Sequence, residues 1–268
     1  MKKTPSQTLD VLGTQTPSLQ ETIQRFSDLL PKRNSSPEMT STIPPTPTPS
    51  PNLPTKGTYI IAVYGDSMVD TMGENLEYLQ ASLHKKHPRT KFILYNYGIG
   101  SQNVQMGLAR FDLSFSYQTR QYPPISLLPA DIIVLGSFSY NPFNPYDRNK
   151  HWQTLVQLIQ KARSKKTDVY LLAEIAPLEK DFGKGANGVN WPEEKAHEQT
   201  LHIMEQLENT VGLAKILNVP LINAFEKSKI PGSRFGKSAY VNRDDGIHPS
   251  VLGQTFVANL IAQTIKLR

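Results

Sequence analysis

The sequence predicts a three-layer α/β/α domain built on an open parallel sheet of about five strands, and three observations carry that prediction. From Thr58 onward, short apolar runs rich in β-branched residues alternate with longer segments of helical periodicity, the pattern of repeated strand–helix–strand units. The runs are almost continuously apolar, as expected of strands covered by helices on both faces. Residues able to do chemistry gather just after these runs, where an open parallel sheet places its ligand crevice.

Taken in order, the strands are expected at 58–65 (TYIIAVYG), 91–98 (KFILYNYG), 131–137 (DIIVLGS), 168–175 (DVYLLAEI) and 219–224 (VPLINA). Helices are expected at about 74–87, 103–114, 150–166, 193–217 and 250–267. The last follows His248-Pro249-Ser250, where proline and serine suit a helix start. No internal repeat is visible.

The domain is expected to span 58–268, because what precedes it cannot bury a core. Residues 31–54 include SSPEMTSTIPPTPTPSPNLP, a Pro/Thr/Ser-rich stretch that reads as an extended linker. Ahead of it Leu9, Leu12, Leu19, Ile23, Phe26, Leu29 and Leu30 suffice for one short amphipathic helix, so 1–57 reads as a disordered or partly helical tail. The chain has no cysteine, which excludes disulfides and thiolate metal sites and leaves the redox compartment open. No run reaches the roughly 18 apolar residues of a membrane span, and MKKTPSQTLDVLG has no apolar core of an export signal. Localisation is therefore unassigned, the linker being compatible with a cell-surface setting as well as a cytoplasmic one.

The net charge of +6 is diffuse: six basic and four acidic residues fall in 1–57, against 23 and 19 in 58–268. A nucleic-acid binder concentrates Lys and Arg into a patch, and the densest clusters here fall at expected helix ends, where a cation favours the helix dipole. Nucleic acid is thus not an expected partner.

The positions after the strands supply a coherent set. Gly65-Asp66-Ser67 follows the first strand, Asn96-Tyr97-Gly98-Ile99-Gly100-Ser101 closes the second, and Gly136-Ser137-Phe138-Ser139-Tyr140-Asn141 closes the third. Asp245-Gly246-Ile247-His248 precedes the last helix. A serine hydroxyl becomes nucleophilic when a base takes its proton, and an imidazole base needs a carboxylate to fix its tautomer. Ser67, His248 and Asp245 are the residues expected to fill these roles. Donors for a developing oxyanion are available from the Ser67 N–H, a glycine N–H of the second loop and an amide side chain.

GDS after the first strand, Asn-x-Gly with further glycine after the second, and Asp-x-x-His before the terminal helix resemble blocks I, II and V of the SGNH (GDSL-type) hydrolase family. The resemblance covers 58–268 in the family's chain order and implies a flavodoxin-like sheet. It also implies Ser67 as nucleophile and first oxyanion donor, Gly100 as a second donor, His248 as base and Asp245 as its partner. Two departures stand out. The third block usually reads Gly-x-Asn-Asp, but here positions 138 and 139 are Phe138 and Ser139, so either Asn141 reaches the hole from a longer loop or that donor is missing or replaced. The glycine expected five residues after Asn96 is Ser101, with Gly100 one position earlier.

Asp66, Tyr140 and Glu174 are the expected substrate-side residues, each with a structural alternative: Asp66 as a turn brace, Tyr140 as a loop anchor, and Glu174 as a cap for the loop after the fourth strand. Trp191, Tyr140 and Phe143 together could form an apolar or sugar-stacking wall. Residues 177–192 (PLEKDFGKGANGVNWP) have the composition of a mobile rim. His84 and His87 share a helix spacing but lack a third ligand, so no metal is expected, nor any organic cofactor. The expectation is a serine esterase or deacylase acting on a small-molecule, glycan or lipid ester. An acyltransferase on the same triad and a catalytically silent carbohydrate-binding or interaction module are the alternatives.

Overall fold

In the computed structural model, residues 56–268 are described. The expectations for the linker, the short amphipathic helix and the rest of the tail up to position 55 lie outside the described residues.

Strand β1 (Thr58–Gly65) is followed by a four-residue helix α1 (Ser67–Asp70), helix α2 (Glu77–Lys86) and strand β2 (Lys91–Gly98). Helix α3 (Val104–Arg110) leads into a hairpin of β3 (Phe115–Tyr117) and β4 (Arg120–Tyr122), and then come β5 (Ile132–Gly136), α4 (Arg148–Arg163), β6 (Asp168–Ala173) and α5 (Glu193–Ile216). The chain closes with β7 (Leu221–Asn223), α6 (Ala224–Ser228), a 3₁₀ turn (Ser238–Tyr240) and α7 (Val251–Thr264). The five-stranded sheet is parallel in the order β2-β1-β5-β6-β7. Strand order reverses between β1 and β5, and that switch point opens a crevice at the carboxyl ends of the two strands. Gly65, Gly98 and Gly136, the last residues of β1, β2 and β5, all stand at this end.

Alternation along β1 explains the near-continuous apolar runs. Ile61 and Val63 join one buried cluster with α1, α2, α7 and part of α5, while Ala62 and Tyr64 join a second with α3 and α4. Both faces are covered, so every position is apolar although successive side chains point in opposite directions. Burying one such side chain contributes about 1.5–3 kcal/mol, enough to pin the register of the central strands.

All five sheet strands and all five helices expected from the sequence are present, most of them shorter than expected. The fourth strand ends at Ala173, which leaves Glu174 just beyond it. The β3–β4 hairpin, α1 and α6 were not anticipated. The hairpin pairs Phe115 with Tyr122 and Tyr117 with Arg120, and it packs by stacking Phe115 on Tyr122, with ring centroids 5.4 Å apart.

Candidate active site

The site begins with the turn that ends β1. Asp66 is extended (φ −90°, ψ −150°), and its carboxylate accepts from the Met68 N–H at 3.0 Å, capping α1. That cap leaves the Ser67 N–H, at the first helical position, with no partner among the described residues. Ser67 is thus presented on a sharp strand-to-helix turn with both its hydroxyl and its amide available.

Helix α1 is held from behind by β2. The Asn96 side chain is fully buried and donates to the carbonyls of Gly73 (2.7 Å), Val69 (3.1 Å) and Asp70 (3.3 Å), and its oxygen accepts from the Gly98 N–H (2.9 Å). These bonds fasten α1 and the turn after it to β2, adding to the N–H groups of Met72 and Leu76 that the Val69 and Gly73 carbonyls already accept. A Cβ at Gly98 would collide with the Asp70 backbone, so only glycine permits this approach.

Asp245 and His248 lie together on the loop before α7. The Asp245 Oδ1 accepts from the N–H groups of Ile247 (2.8 Å) and His248 (2.9 Å), and its Oδ2 stands 2.9 Å from His248 Nδ1. A carboxylate only accepts, so Nδ1 carries the proton and Nε2 is left as the basic nitrogen. The loop is anchored by the Asn242 N–H on the His248 carbonyl (2.7 Å), and α7 is tied to α1 by the Gln254 amide on the Thr71 carbonyl. Burial pushes the carboxyls of Asp66 and Asp70 upward, and His248 lies close enough for its charge to offset part of that push on both. The imidazole therefore lies within electrostatic reach of the two carboxyls that flank α1. Among the described residues no hydrogen bond joins the Ser67 hydroxyl to His248; such bonds often tighten only when substrate binds.

The 177–192 loop, expected as a mobile rim, is instead a buttress of the acid/base loop. The Asn187 N–H donates to the Asp244 carbonyl (2.7 Å), and the Gly183 N–H to that of Gly246 (3.2 Å). Gly246 has φ +66°, and a Cβ there would strike the Asp181 carbonyl, so the two loops close on each other only through glycine.

The third loop departs most from expectation. Phe138 is fully buried against Tyr64, with ring centroids 5.9 Å apart, and lies over Gly107, so position 138 faces the core and offers no polar side chain. Glu174, 3% exposed, accepts from the Ser137 N–H (2.8 Å) and binds the Ser137 hydroxyl, which in turn contacts the Ser139 hydroxyl at 2.6 Å. Glu174 thus braces the third loop, a place different from the loop after the fourth strand that it was expected to cap. Burial, with the nearby Asp66 charge adding to it, pushes Glu174 up to about 8, and burial pushes Asp66 up to about 6. His151, also buried, places Nε2 3.0 Å from the Ser137 carbonyl and Nδ1 3.4 Å from the Asn209 amide. It is held neutral, its pKa lowered to about 4 by burial.

Asn141 reaches the nucleophile turn: its Nδ2 donates to Asp66 Oδ2 at 2.9 Å, and its second N–H has no partner among the described residues. Asp66 itself is fully buried and serves as cap and acceptor, the turn-bracing alternative. Tyr140 is buried, with its hydroxyl on the Ile175 carbonyl (2.8 Å), so it anchors the loop. Tyr140 and Trp191 pack on one cluster and Phe143 on the other, which breaks up the expected aromatic wall. The Gly100 N–H has no partner among the described residues, and the adjoining Ser101 takes a left-handed backbone, φ +59°.

Sequence reasoning missed two arginines. Arg110 donates to the carbonyls of Gly65 (2.8 Å) and Tyr97 (2.9 Å), tying β1 to β2 directly behind the site. Arg120, 3% exposed, donates to the carbonyls of Asn96 (2.9 Å) and Gly98 (3.2 Å) and forms an ion pair with Asp70. An arginine in an alternating FSYQTRQY run was the available signal, but alternation does not say which face is covered.

Residues 61–261 match the family model described as GDSL-like Lipase/Acylhydrolase. Among solved structures, the lipase/acylhydrolase from Enterococcus faecalis is 15% identical with a TM-score of 0.56, covering 76% of this chain and 94% of its own. A GDSL-like lipase from Bacteroides thetaiotaomicron is 15% identical, TM-score 0.55, with 76% and 86% covered. A mutant of the acetyl-xylooligosaccharide esterase from Geobacillus Stearmophilus is 13% identical, TM-score 0.54, with 78% and 95% covered. At these identities the likeness is one of fold. No curated protein matches the sequence.

Proposed function

Because this chain belongs to the GDSL-like lipase/acylhydrolase family and so acts on ester bonds, we propose that it is a serine esterase working through an acyl-Ser67 intermediate. The observation that carries this reading is the His248–Asp245 pair, 2.9 Å apart on the loop before α7. His248 Nε2 takes the Ser67 proton as Oγ attacks the ester carbonyl, and Asp245 holds the imidazolium that forms. The N–H groups of Ser67 and Gly100, with the second N–H of Asn141, stabilise the oxyanion. Collapse breaks the carbon–oxygen bond, and the alcohol leaves with the proton from His248. Water then attacks the acyl-serine by the same route and releases the acid.

The substrate class is a short-chain carboxylic ester, with an O-acetylated carbohydrate first among candidates. The fold likeness to an acetyl-xylooligosaccharide esterase and the polar groups around Ser67 support it. Turnover of p-nitrophenyl acetate, butyrate and laurate, beside acetate release from acetylated xylo-oligosaccharide, tests the proposal in wild type and Ser67→Ala. The expected result is Ser67-dependent turnover strongest with acetyl esters. A preference for laurate overturns the substrate class, and turnover that survives in Ser67→Ala overturns the mechanism. No turnover of any ester by the wild type favours the silent binding module, for which the apolar Phe138 in the third loop is the one specific pointer.

A further inference from the structure

The hairpin carries a polar group that nothing in the fold uses. Tyr117, half-buried at the end of β3, has no hydrogen-bond partner for its hydroxyl among the described residues. That hydroxyl stands 3.1 Å from where a Cβ on Gly100 would be, beside the loop whose Gly100 N–H is also unpaired. Its ring contacts the Arg120 guanidinium, 5.4 Å from the ring centroid, which is itself bound by Asp70 and the carbonyls of Asn96 and Gly98. The turn of the hairpin is tied down by the Thr119 hydroxyl on Glu74, 2.8 Å away. A phenol next to a glycine that leaves it room is a donor lacking an acceptor in the protein.

We propose that Tyr117 is a further catalytic residue, its hydroxyl donating to the acyl oxygen of the ester as charge develops there. It adds a donor from the hairpin to those of Ser67, Gly100 and Asn141, position 138 offering none because Phe138 faces the core. The assignment explains why Gly100 has no side chain: a methyl group there would press on the hydroxyl. The inference rests on the serine-esterase reading above.

Tyr117→Phe keeps the ring over Arg120 and removes only the hydroxyl. With p-nitrophenyl acetate, the expected result is a kcat lowered about 10- to 100-fold with KM within about twofold, since a donor that acts on the oxyanion acts mainly in the transition state. The melting temperature is expected to match wild type, because no protein hydrogen bond is lost. Gly100→Ala, which displaces the hydroxyl, is expected to lower kcat in the wild type and to cost less in the Tyr117→Phe background. An unchanged kcat in Tyr117→Phe, or a change confined to KM, overturns the assignment while leaving the esterase reading intact. Absence of Ser67-dependent turnover in the wild type overturns both.

Discussion

At the residue scale, the nucleophile turn and the acid/base loop are each held by a buried or half-buried polar side chain that bonds several partners at once. Asn96 shows this most plainly, since one buried amide binds carbonyls of α1 and of the turn after it and also receives the Gly98 N–H. Asn96→Ala leaves the buried Gly98 N–H without this acceptor and cuts the tie to α1, and is expected to destabilise the fold by about 1–3 kcal/mol, read from urea unfolding. Asp245 orders its own loop with one oxygen and the imidazole with the other. Asp245→Asn presents an N–H where His248 Nδ1 needs an acceptor, so kcat is expected to fall about 10³- to 10⁴-fold with KM little changed. The Ser67, Asp245 and His248 set was legible because each motif sits at the end of an element recognisable from its period. The burial of Glu174 and Tyr140 was not legible, because position after a strand does not reveal it. Whether a carboxyl faces the crevice or the loop beneath it depends on the neighbouring chain, here Ser137.

At the scale of elements, the β3–β4 hairpin clamps the nucleophile helix. Arg120 leaves the hairpin to bind Asp70 at the end of α1 and two carbonyls at the end of β2. Arg120→Met removes the partner of a largely buried carboxylate and is expected to cost about 3–5 kcal/mol. Adding Asp70→Asn removes the stranded charge and is expected to restore part of that loss. Full additivity of the two changes in urea unfolding would show that the pair is not coupled. The hairpin was invisible in the sequence for a physical reason. Its strands are three residues each, and it is held mainly by aromatic packing and Arg120 rather than by a long ladder. The 177–192 loop also holds a role its composition did not show, since Gly185 lies against the Asp244 and Arg243 carbonyls of the acid/base loop.

At the scale of the whole molecule, the sheet order was implied by the family resemblance, and the alternation of apolar runs already limited the architecture to parallel strands under two helical layers. The buried carboxyls add a pH dependence that reaches the global stability. Burial raises Glu174 from an ordinary 4.5 to about 8, so the folded state keeps a proton that the unfolded chain gives up. Stability therefore falls as pH rises from about 4.5 and levels off above about 8, with Asp66 adding to the slope up to about 6. Urea unfolding between pH 5 and pH 8.5 is expected to show this decline in wild type and a clearly shallower one in Glu174→Gln. Equal slopes would remove Glu174 as its source.

The account turns on Ser67 being an activated nucleophile, and reaction with a fluorophosphonate probe followed by intact-mass measurement tests that most directly. The account predicts a single phosphonyl adduct on the wild type, slowed at least tenfold in His248→Ala and absent in Ser67→Ala. A wild type that stays unlabelled, or an adduct that persists in Ser67→Ala, would contradict it.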